Sequence, residues 1–160
     1  MRNNARALLF SLIFILFFSS GIATAQDYPR PAPEFNLADL DGNYISLKDY
    51  RGKNGVILLF WTSWCSFCRK ELKAINNMTD ELRQDGWEFF PVNAGESGYK
   101  ARSFLKSSGL SLKALLDEDN SVSDSYNVFG VPTYIFINKE GYIIYTTHFF
   151  SKDTYKKLTP

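Results

Sequence analysis

Two cysteines are the residues of this chain whose type and spacing point most directly to chemistry. Cys65 and Cys68 are its only cysteines, and they form a C-x-x-C motif. The loop that such a pair closes is too short to stabilise a fold by restricting the unfolded chain. A zinc site needs four ligands, whereas the chain offers these two thiols and one imidazole, that of His148. The motif therefore favours a redox-active Cys65–Cys68 disulfide over a metal site.

The residues around the motif predict that its two cysteines have unequal roles. Val56–Trp61 is a continuous apolar run, typical of a central strand covered on both faces. From Cys65 to about Gln84, apolar residues recur every three or four positions, which predicts an amphipathic helix. The first turn of a helix stabilises a thiolate, lowering a cysteine pKa from about 8.5 to about 3.5–7.5. Cys65 is thus the predicted nucleophile toward a substrate disulfide, and Cys68, one turn further on, the thiol that resolves the mixed disulfide.

The N-terminal segment predicts export. Residues 1–25 begin with two arginines, continue with an apolar run and end in Ala23-Thr24-Ala25, the pattern of a signal-peptidase site. An uncleaved membrane anchor is the alternative, since the apolar run has almost the length of a membrane span. Residues 26–33 contain three prolines and predict an extended linker, and residues 34–160 predict one domain. Without residues 1–25 the chain keeps 16 basic and 17 acidic residues, a balance that argues against nucleic-acid binding.

Strand and helix patterns alternate after the motif and predict parallel strands in an α/β domain. The Asp-Gly pair at 41–42 predicts an N-terminal β-hairpin, and Lys139-Glu140-Gly141 predicts a second hairpin at the edge of the sheet. The predicted strands are Phe35–Leu37, Tyr44–Leu47, Trp87–Val92, Leu112–Leu116, Thr133–Asn138 and Tyr142–Thr147, and the further predicted helices are Tyr99–Ser108, Val122–Tyr126 and 151–158.

Six segments between residues 32 and 147 carry motifs of a known family. They are Phe60-Trp61-Thr62-Ser63-Trp64-Cys65-Ser66-Phe67-Cys68-Arg69-Lys70-Glu71, Val131-Pro132-Thr133, Ala32-Pro33-Glu34-Phe35, Leu40-Asp41-Gly42, Val92-Asn93-Ala94-Gly95-Glu96-Ser97 and Thr133–Gly141. Together they resemble the thioredoxin superfamily, specifically its exported TlpA/ResA-type reductases with a redoxin, or AhpC/TSA-like, domain. The resemblance implies an α/β thioredoxin-like fold: a central mixed β-sheet flanked by helices, with an N-terminal β-hairpin and an inserted βα unit.

The resemblance also implies roles for residues near the cysteines. Pro132 is expected to be a cis proline that faces them, and the backbone of Val131 is expected to pair with a bound substrate strand. Glu71 is expected near the active site, where it would share a helix face with Cys68 and exchange a proton with that thiol. A solvated helix glutamate is the alternative. Glu96 matches a second acid near the cysteines, with capping of the next helix as its alternative.

Trp64 and Phe67 are expected to contact substrate. The resemblance implies that Trp64 is an exposed ring beside the nucleophile, with core packing as the alternative, and Phe67 would add an apolar contact for a polypeptide. His148 is far from the motif in sequence and is interpreted as structural. Leu59 stands where thioredoxin has a buried acid, so proton handling would fall to Glu71 or water.

The resemblance implies a reductase that acts outside the cytoplasm on client proteins with a reducible disulfide, typically apocytochrome c before haem attachment. Such an enzyme needs a membrane thiol reductant as its electron donor and no bound cofactor. A disulfide oxidase or isomerase differs in reduction potential and not in motif. A peroxiredoxin-like thiol peroxidase is a further alternative, because Thr62 lies three residues before Cys65. A binding module without turnover is the alternative outside the enzymes.

Overall fold

The computed structural model describes residues 28–160, so the predicted signal segment and the first residues of the predicted linker lie outside the described part. Within it the strands are β1 Arg30–Pro31, β2 Asn36–Ala38, β3 Tyr44–Ser46, β4 Gly55–Trp61, β5 Trp87–Ala94, β6 Leu115–Asp117, β7 Thr133–Ile137 and β8 Tyr142–Thr147. The α-helices are α1 Ser66–Asn76, α2 Thr79–Gln84, α3 Gly98–Ser107, α4 Ser121–Ser125 and α5 Lys152–Tyr155, and a 3₁₀ helix covers Leu47–Asp49.

Six of these strands form one mixed sheet in the order β1-β8-β7-β4-β5-β6. The strands β4, β5 and β6 are parallel, as expected where helices connect them, whereas β7 runs antiparallel to β4 and β8 antiparallel to β7. The predicted α/β, thioredoxin-like fold class is therefore confirmed. The register of β4 and β7 pairs Phe60 with Thr133, which brings the residues after β4 beside those before β7.

The central strand β4 separates two apolar cores. Its odd-numbered residues from Ile57 to Trp61 pack with α1, α2 and α3 in a core that also contains Cys65 and Cys68. Its even-numbered residues from Val56 to Phe60 pack with the β2–β3 hairpin and α4. Alternation places successive side chains on opposite faces, so a strand covered on both sides needs apolar residues throughout. The uninterrupted apolar run that precedes the cysteines has this physical cause.

Two residues of the predicted linker, Arg30–Pro31, form strand β1 and belong to the sheet. Strand β1 pairs with β8, and the Ala32 N–H donates to the Gly141 carbonyl at 2.9 Å. The Tyr126 hydroxyl donates to the Pro33 carbonyl at 2.6 Å. Proline is compatible with an outer edge strand, where no N–H is needed on the open side. Strand β1 also covers β8, so the second hairpin does not form the sheet edge as predicted.

The predicted helix from Cys65 to Gln84 is two helices, α1 and α2, separated at Asn77 and Met78. The Asn76 side chain accepts a hydrogen bond from the backbone N–H of Ser111 at 3.0 Å, and asparagine side chains favour helix ends over helix interiors. Apolar periodicity continues across the break because Met78 still packs against the core. The apolar periodicity therefore predicts which face of the two helices is buried, but it does not predict the break between them.

The predicted strand Leu112–Leu116 is shorter and shifted in the structure. Pairing with β5 covers Leu115–Asp117, while Leu112 and Ala114 are buried in the preceding loop. An apolar sequence predicts burial, whereas strand pairing also needs a neighbouring backbone in register.

The structure has no helix in residues 28–160 that is both long and apolar enough to cross a membrane.

A close contact at Gly55 leads to a test of the fold. A Cβ at Gly55 would lie 2.6 Å from two ring carbons of Trp87 and 2.8 Å from the Pro160 Cβ. Trp87 is fully buried and cannot move aside without disturbing the core. We expect Gly55→Ala to lower the free energy of unfolding by about 1–3 kcal/mol, as overpacking usually does, measured by urea denaturation.

Gly130→Ala is the matched control, because a Cβ at Gly130 meets no atom within 4 Å. We expect it to change the free energy of unfolding by less than about 0.5 kcal/mol. Equal stabilities for the two variants would contradict this account of the packing at Trp87.

Candidate active site

The two cysteines lie at the transition from β4 to α1: Cys65 ends the loop after β4, and Cys68 lies in the first turn of α1. Cys65 is the N-cap of α1, and its sulfur accepts a hydrogen bond from the Cys68 backbone N–H at 3.0 Å. The two sulfurs form a disulfide, with the Cα atoms 5.2 Å apart. Cys65 is 6% exposed and Cys68 is 0% exposed. A partner molecule can therefore approach the Cys65 sulfur but not that of Cys68.

The electrostatic setting of Cys65 is that of a helix N-terminus. The first turn of α1 contains no Asp or Glu, and Arg69 and Lys70 follow directly after Cys68. The helix dipole and the Cys68 N–H both favour negative charge on the Cys65 sulfur once the disulfide is reduced.

The segment before β7 faces the disulfide. The Val131–Pro132 peptide bond is cis, as the resemblance implies. The Val131 carbonyl oxygen lies 3.7 Å from the Cys65 Sγ. Val131 therefore presents a backbone acceptor immediately beside the accessible sulfur.

Two side chains hold the backbone on either side of Val131. The Thr133 hydroxyl donates to the Gly130 carbonyl at 2.7 Å. The His148 Nδ1 lies 2.9 Å from the Pro132 carbonyl oxygen and 3.2 Å from the Thr133 Oγ1. His148, although far from the cysteines in sequence, therefore contacts the segment that faces them. The missing signal was strand pairing, since β8 ends one residue before His148 and lies against β7.

Glu96 stabilises the loop between β4 and Cys65 through hydrogen bonds to Ser63. Its carboxylate accepts hydrogen bonds from the Ser63 N–H at 2.6 Å, the Ser63 hydroxyl at 2.7 Å and the Asn93 amide at 2.9 Å, and pairs with Lys100 at 2.7 Å. Burial alone would raise the pKa of Glu96, but the hydrogen bonds from Lys100, Asn93 and Ser63 outweigh it, so the pKa lies below its ordinary value. Both carboxylate oxygens are occupied by protein groups, and the next helix, α3, is not capped by Glu96.

Glu71 lies on α1, one turn after Cys68, and is held by the C-terminal part of the domain. Its Oε2 accepts hydrogen bonds from the Tyr134 hydroxyl at 2.9 Å and from the Phe150 N–H at 2.8 Å. Burial, reinforced by the Glu71 charge and hydrogen bond, raises the pKa of Tyr134, so the phenol stays protonated and donates to Glu71. Glu71 is therefore partly buried and oriented, unlike a freely solvated helix glutamate.

Three aromatic side chains are exposed on the face around the disulfide or beside it. Trp64 is 71% exposed and Phe67 is 68% exposed, so core packing of Trp64, the alternative to an exposed ring, is wrong. Phe129, which sequence reasoning did not single out, is 95% exposed and lies in the loop before Val131. A groove of about 400 Å³ runs along Trp64, Phe129 and Val131. Exposed apolar rings at the rim of a groove are typical of a surface that binds another chain.

No cluster of three or more His, Cys, Asp or Glu side chains that could hold a metal ion occurs in the described part of the chain.

Comparisons with known proteins agree with this geometry. Residues 29–146 match the model of the AhpC/TSA family. The chain is 41% identical over 113 residues to the thiol-disulfide oxidoreductase ResA of Bacillus subtilis, a match that covers 71% of this chain and 63% of that protein, slightly less than two thirds of its length. It is 32% identical over 148 residues to ResA of Bacillus cereus, covering 86% of this chain and 85% of that protein.

A solved structure supports the fold. The thioredoxin domain of a thiol-disulfide oxidoreductase from Bacteroides vulgatus superposes with a TM-score of 0.71 at 24% identity, covering 82% of this chain and 95% of that one.

The hydrogen bonds of Glu96 lead to a prediction for stability and its pH dependence. Glu96→Gln loses the ion pair with Lys100, and its amide N–H₂ would face the hydrogen-bond donors of Ser63 and Asn93. We therefore expect the free energy of unfolding at pH 7 to fall by about 1–3 kcal/mol. A carboxyl with a lowered folded pKa stabilises the fold fully above its ordinary pKa of 4.5, and the contribution is lost as pH falls through the folded value. The difference between the two proteins should therefore stay constant down to about pH 5 and shrink below pH 4.5, measured by denaturation across pH.

Glu140→Gln is the control, since Glu140 is exposed in the turn between β7 and β8. We expect it to match the unsubstituted protein at every pH. A Glu96→Gln difference that grows on acidification would contradict the proposed sign.

Proposed function

Since this chain belongs to the AhpC/TSA family and is a TlpA/ResA-like thiol–disulfide oxidoreductase of the thioredoxin superfamily, we propose that it reduces disulfide bonds of client proteins outside the cytoplasm. One observation carries the proposal. The Cys65–Cys68 disulfide sits at a helix N-terminus with only Cys65 accessible, and the Val131 carbonyl lies 3.7 Å from that sulfur. This arrangement joins a redox pair to a backbone group that can hold an extended substrate.

The reaction begins from the reduced protein. The Cys65 thiolate attacks one sulfur of the client disulfide, the client S–S bond breaks, and the second client sulfur leaves as a thiolate that takes up a proton. Cys68 then loses its proton and attacks the Cys65 sulfur. The Cys65–Cys68 disulfide forms, the client is released with both sulfurs reduced, and two electrons have passed from the protein to the client. The structure has the oxidised pair that ends this cycle.

The surface around Cys65 supports a polypeptide client. The Val131 carbonyl can accept a hydrogen bond from the client backbone, as in strand addition. Trp64 and Phe129 offer exposed rings along the groove that Val131 lines, and Phe67 offers a further exposed ring two residues after Cys65. Backbone pairing together with apolar contacts suits an extended peptide that carries a cysteine.

Glu71 is proposed as the group that exchanges the proton of Cys68. It lies one turn further along α1, and no acid is present on β4 to take this role, since position 59 is a leucine. The Tyr134 and Phe150 hydrogen bonds occupy Oε2, while Oε1 has no hydrogen-bond partner among residues 28–160. The free oxygen is the one available for a proton.

The identity of the client and of the electron donor rests on the family resemblance. From it we infer that the client is apocytochrome c before haem attachment, and that a membrane thiol reductant restores the dithiol after each turnover. The predicted signal segment, residues 1–25, supports export, with a membrane anchor as the alternative way of holding the protein outside the cytoplasm.

The mechanism predicts opposite outcomes for the two cysteine variants. Cys68→Ser cannot resolve the mixed disulfide, so we expect a covalent adduct between Cys65 and the client that accumulates and is released by dithiothreitol. Cys65→Ser should form no adduct. Its rate of insulin reduction should be at least about 100-fold lower, because the essential nucleophile is removed. Mass spectrometry of trapped adducts and the insulin assay measure the two effects. Adducts that form on Cys68 in Cys65→Ser would contradict the assigned roles.

The reduction potential decides the direction of electron flow. A reductase is expected near thioredoxin's roughly −270 mV, and an oxidase near the roughly −120 mV of a strong oxidant. Equilibration of the Cys65–Cys68 pair with glutathione or dithiothreitol buffers measures it. A value close to that of the oxidants would replace the reductase by an oxidase.

A further inference from the structure

His148, the only histidine of the chain, lies beside the active-site proline and has no role in the chemistry described above. It follows β8 directly, and its ring is exposed. The Nδ1 atom lies 2.9 Å from the Pro132 carbonyl oxygen and 3.2 Å from the Thr133 Oγ1. These contacts join it to the two residues that follow Val131.

The neighbouring groups determine which ring nitrogen carries the hydrogen. The Pro132 carbonyl can only accept a hydrogen bond. The single hydroxyl proton of Thr133 is already donated to the Gly130 carbonyl at 2.7 Å, so Thr133 can also only accept from the ring. Nδ1 must therefore be the protonated nitrogen. This donor exists in the neutral ring and in the imidazolium alike, so the contact does not depend on the charge of the ring.

The imidazole extends the β7–β8 ladder beyond its last backbone pair. That ladder ends with Tyr134 opposite Thr147. Beyond it the β8 backbone no longer pairs with the chain before β7, and the His148 N–H supplies the hydrogen bond to Pro132 instead. Together with the Thr133 hydroxyl on Gly130, it fixes a carbonyl on each side of Val131.

We propose that His148 is a positioning residue for client binding, which acts through the Pro132 carbonyl and touches neither sulfur. This inference rests on the proposed function, because it concerns how the Val131 backbone is held to receive the client strand. Without the imidazole N–H, the Pro132 carbonyl loses this hydrogen bond, and the segment from Gly130 to Pro132 keeps only the Thr133–Gly130 hydrogen bond and the β4–β7 pairing that begins at Thr133. A less ordered Val131 weakens pairing with a polypeptide and leaves the intrinsic reactivity of the Cys65 thiolate unchanged.

Three variants separate a positioning role from a general structural one. His148→Leu removes the donor. His148→Asn keeps an amide N–H₂ close to the place of Nδ1, whereas His148→Gln carries its amide near the place of Nε2. We expect His148→Leu and His148→Gln to lower kcat/KM for insulin reduction by about three- to tenfold, mainly through KM, as loss of one hydrogen bond does. We expect His148→Asn to recover most of the loss.

A small aromatic disulfide, 5,5′-dithiobis(2-nitrobenzoate), is the matched substrate because it has no backbone to pair with Val131. The reduced forms of all three variants and of the unsubstituted protein should react with it, and with iodoacetamide, at rates within twofold of one another. Thermal unfolding verifies that each variant is folded. If His148→Leu does not fold, the comparison of His148→Asn with His148→Gln decides.

Several outcomes would overturn the inference. They are an unchanged kcat/KM for insulin in the variants that lack the donor, equal losses in His148→Asn and His148→Gln, or equal slowing toward insulin and toward the small disulfide. The last would mean that His148 acts on the Cys65 thiolate itself. Failure of the proposed function is a separate result, seen when the unsubstituted protein reduces the small disulfide and not insulin.

Discussion

The pairing of β4 with β7 is the constraint on which the site depends. The two strands are antiparallel neighbours with Phe60 opposite Thr133, so the end of one lies beside the start of the other. Cys65 follows β4 after a short loop, and Val131 precedes β7, so this register brings sulfur and carbonyl within 3.7 Å. A slip of one residue would turn the Thr133 side chain and its neighbours to the opposite faces of the sheet. Apolar cores on both sides of β4 prevent that slip, because each face requires its own set of buried side chains.

The two acids of the site, Glu96 and Glu71, differ in how many of their carboxylate oxygens accept hydrogen bonds. Glu96 is buried and bound on both oxygens, with a lowered pKa, so it remains a carboxylate that holds Ser63 in place. Glu71 is partly buried and bound on one oxygen only. A fully bonded carboxylate cannot exchange protons without losing several hydrogen bonds, whereas a half-bonded one can. This difference accounts for loop anchoring by Glu96 and supports the proposed proton exchange by Glu71, in a protein whose central strand carries Leu59 in place of an acid.

Local features of the site could be predicted from sequence, and features that depend on distant contacts could not. The apolar run of β4 and the helix that starts after Cys65 follow from composition and periodicity, which are local. The break after Asn76 depends on Ser111, and the pairing of residues 30–31 depends on β8, so neither leaves a local pattern. The cis state of Val131–Pro132 was expected only through the family resemblance. Phe129 lies two residues before the Val131-Pro132-Thr133 motif, but its neighbours in sequence do not show that its ring is exposed. Only the fold brings His148 to the site.

The contacts that shape the proposed client-binding face come from outside the C-x-x-C motif. Glu96 holds Ser63, Thr133 holds Gly130 and His148 holds Pro132, in each case by a hydrogen bond to a backbone group. Because these hydrogen bonds are made to backbone groups, they do not depend on the side chains of Ser63, Gly130 and Pro132. The redox pair depends in addition on the N-terminus of α1 and on burial of Cys68, and of the three anchors only Glu96, through Ser63, acts on the loop that leads into Cys65. The hydrogen bonds to Gly130 and Pro132 are therefore separate from the redox pair, so substitutions at Thr133 or His148 can alter the proposed client-binding segment while the disulfide pair is kept.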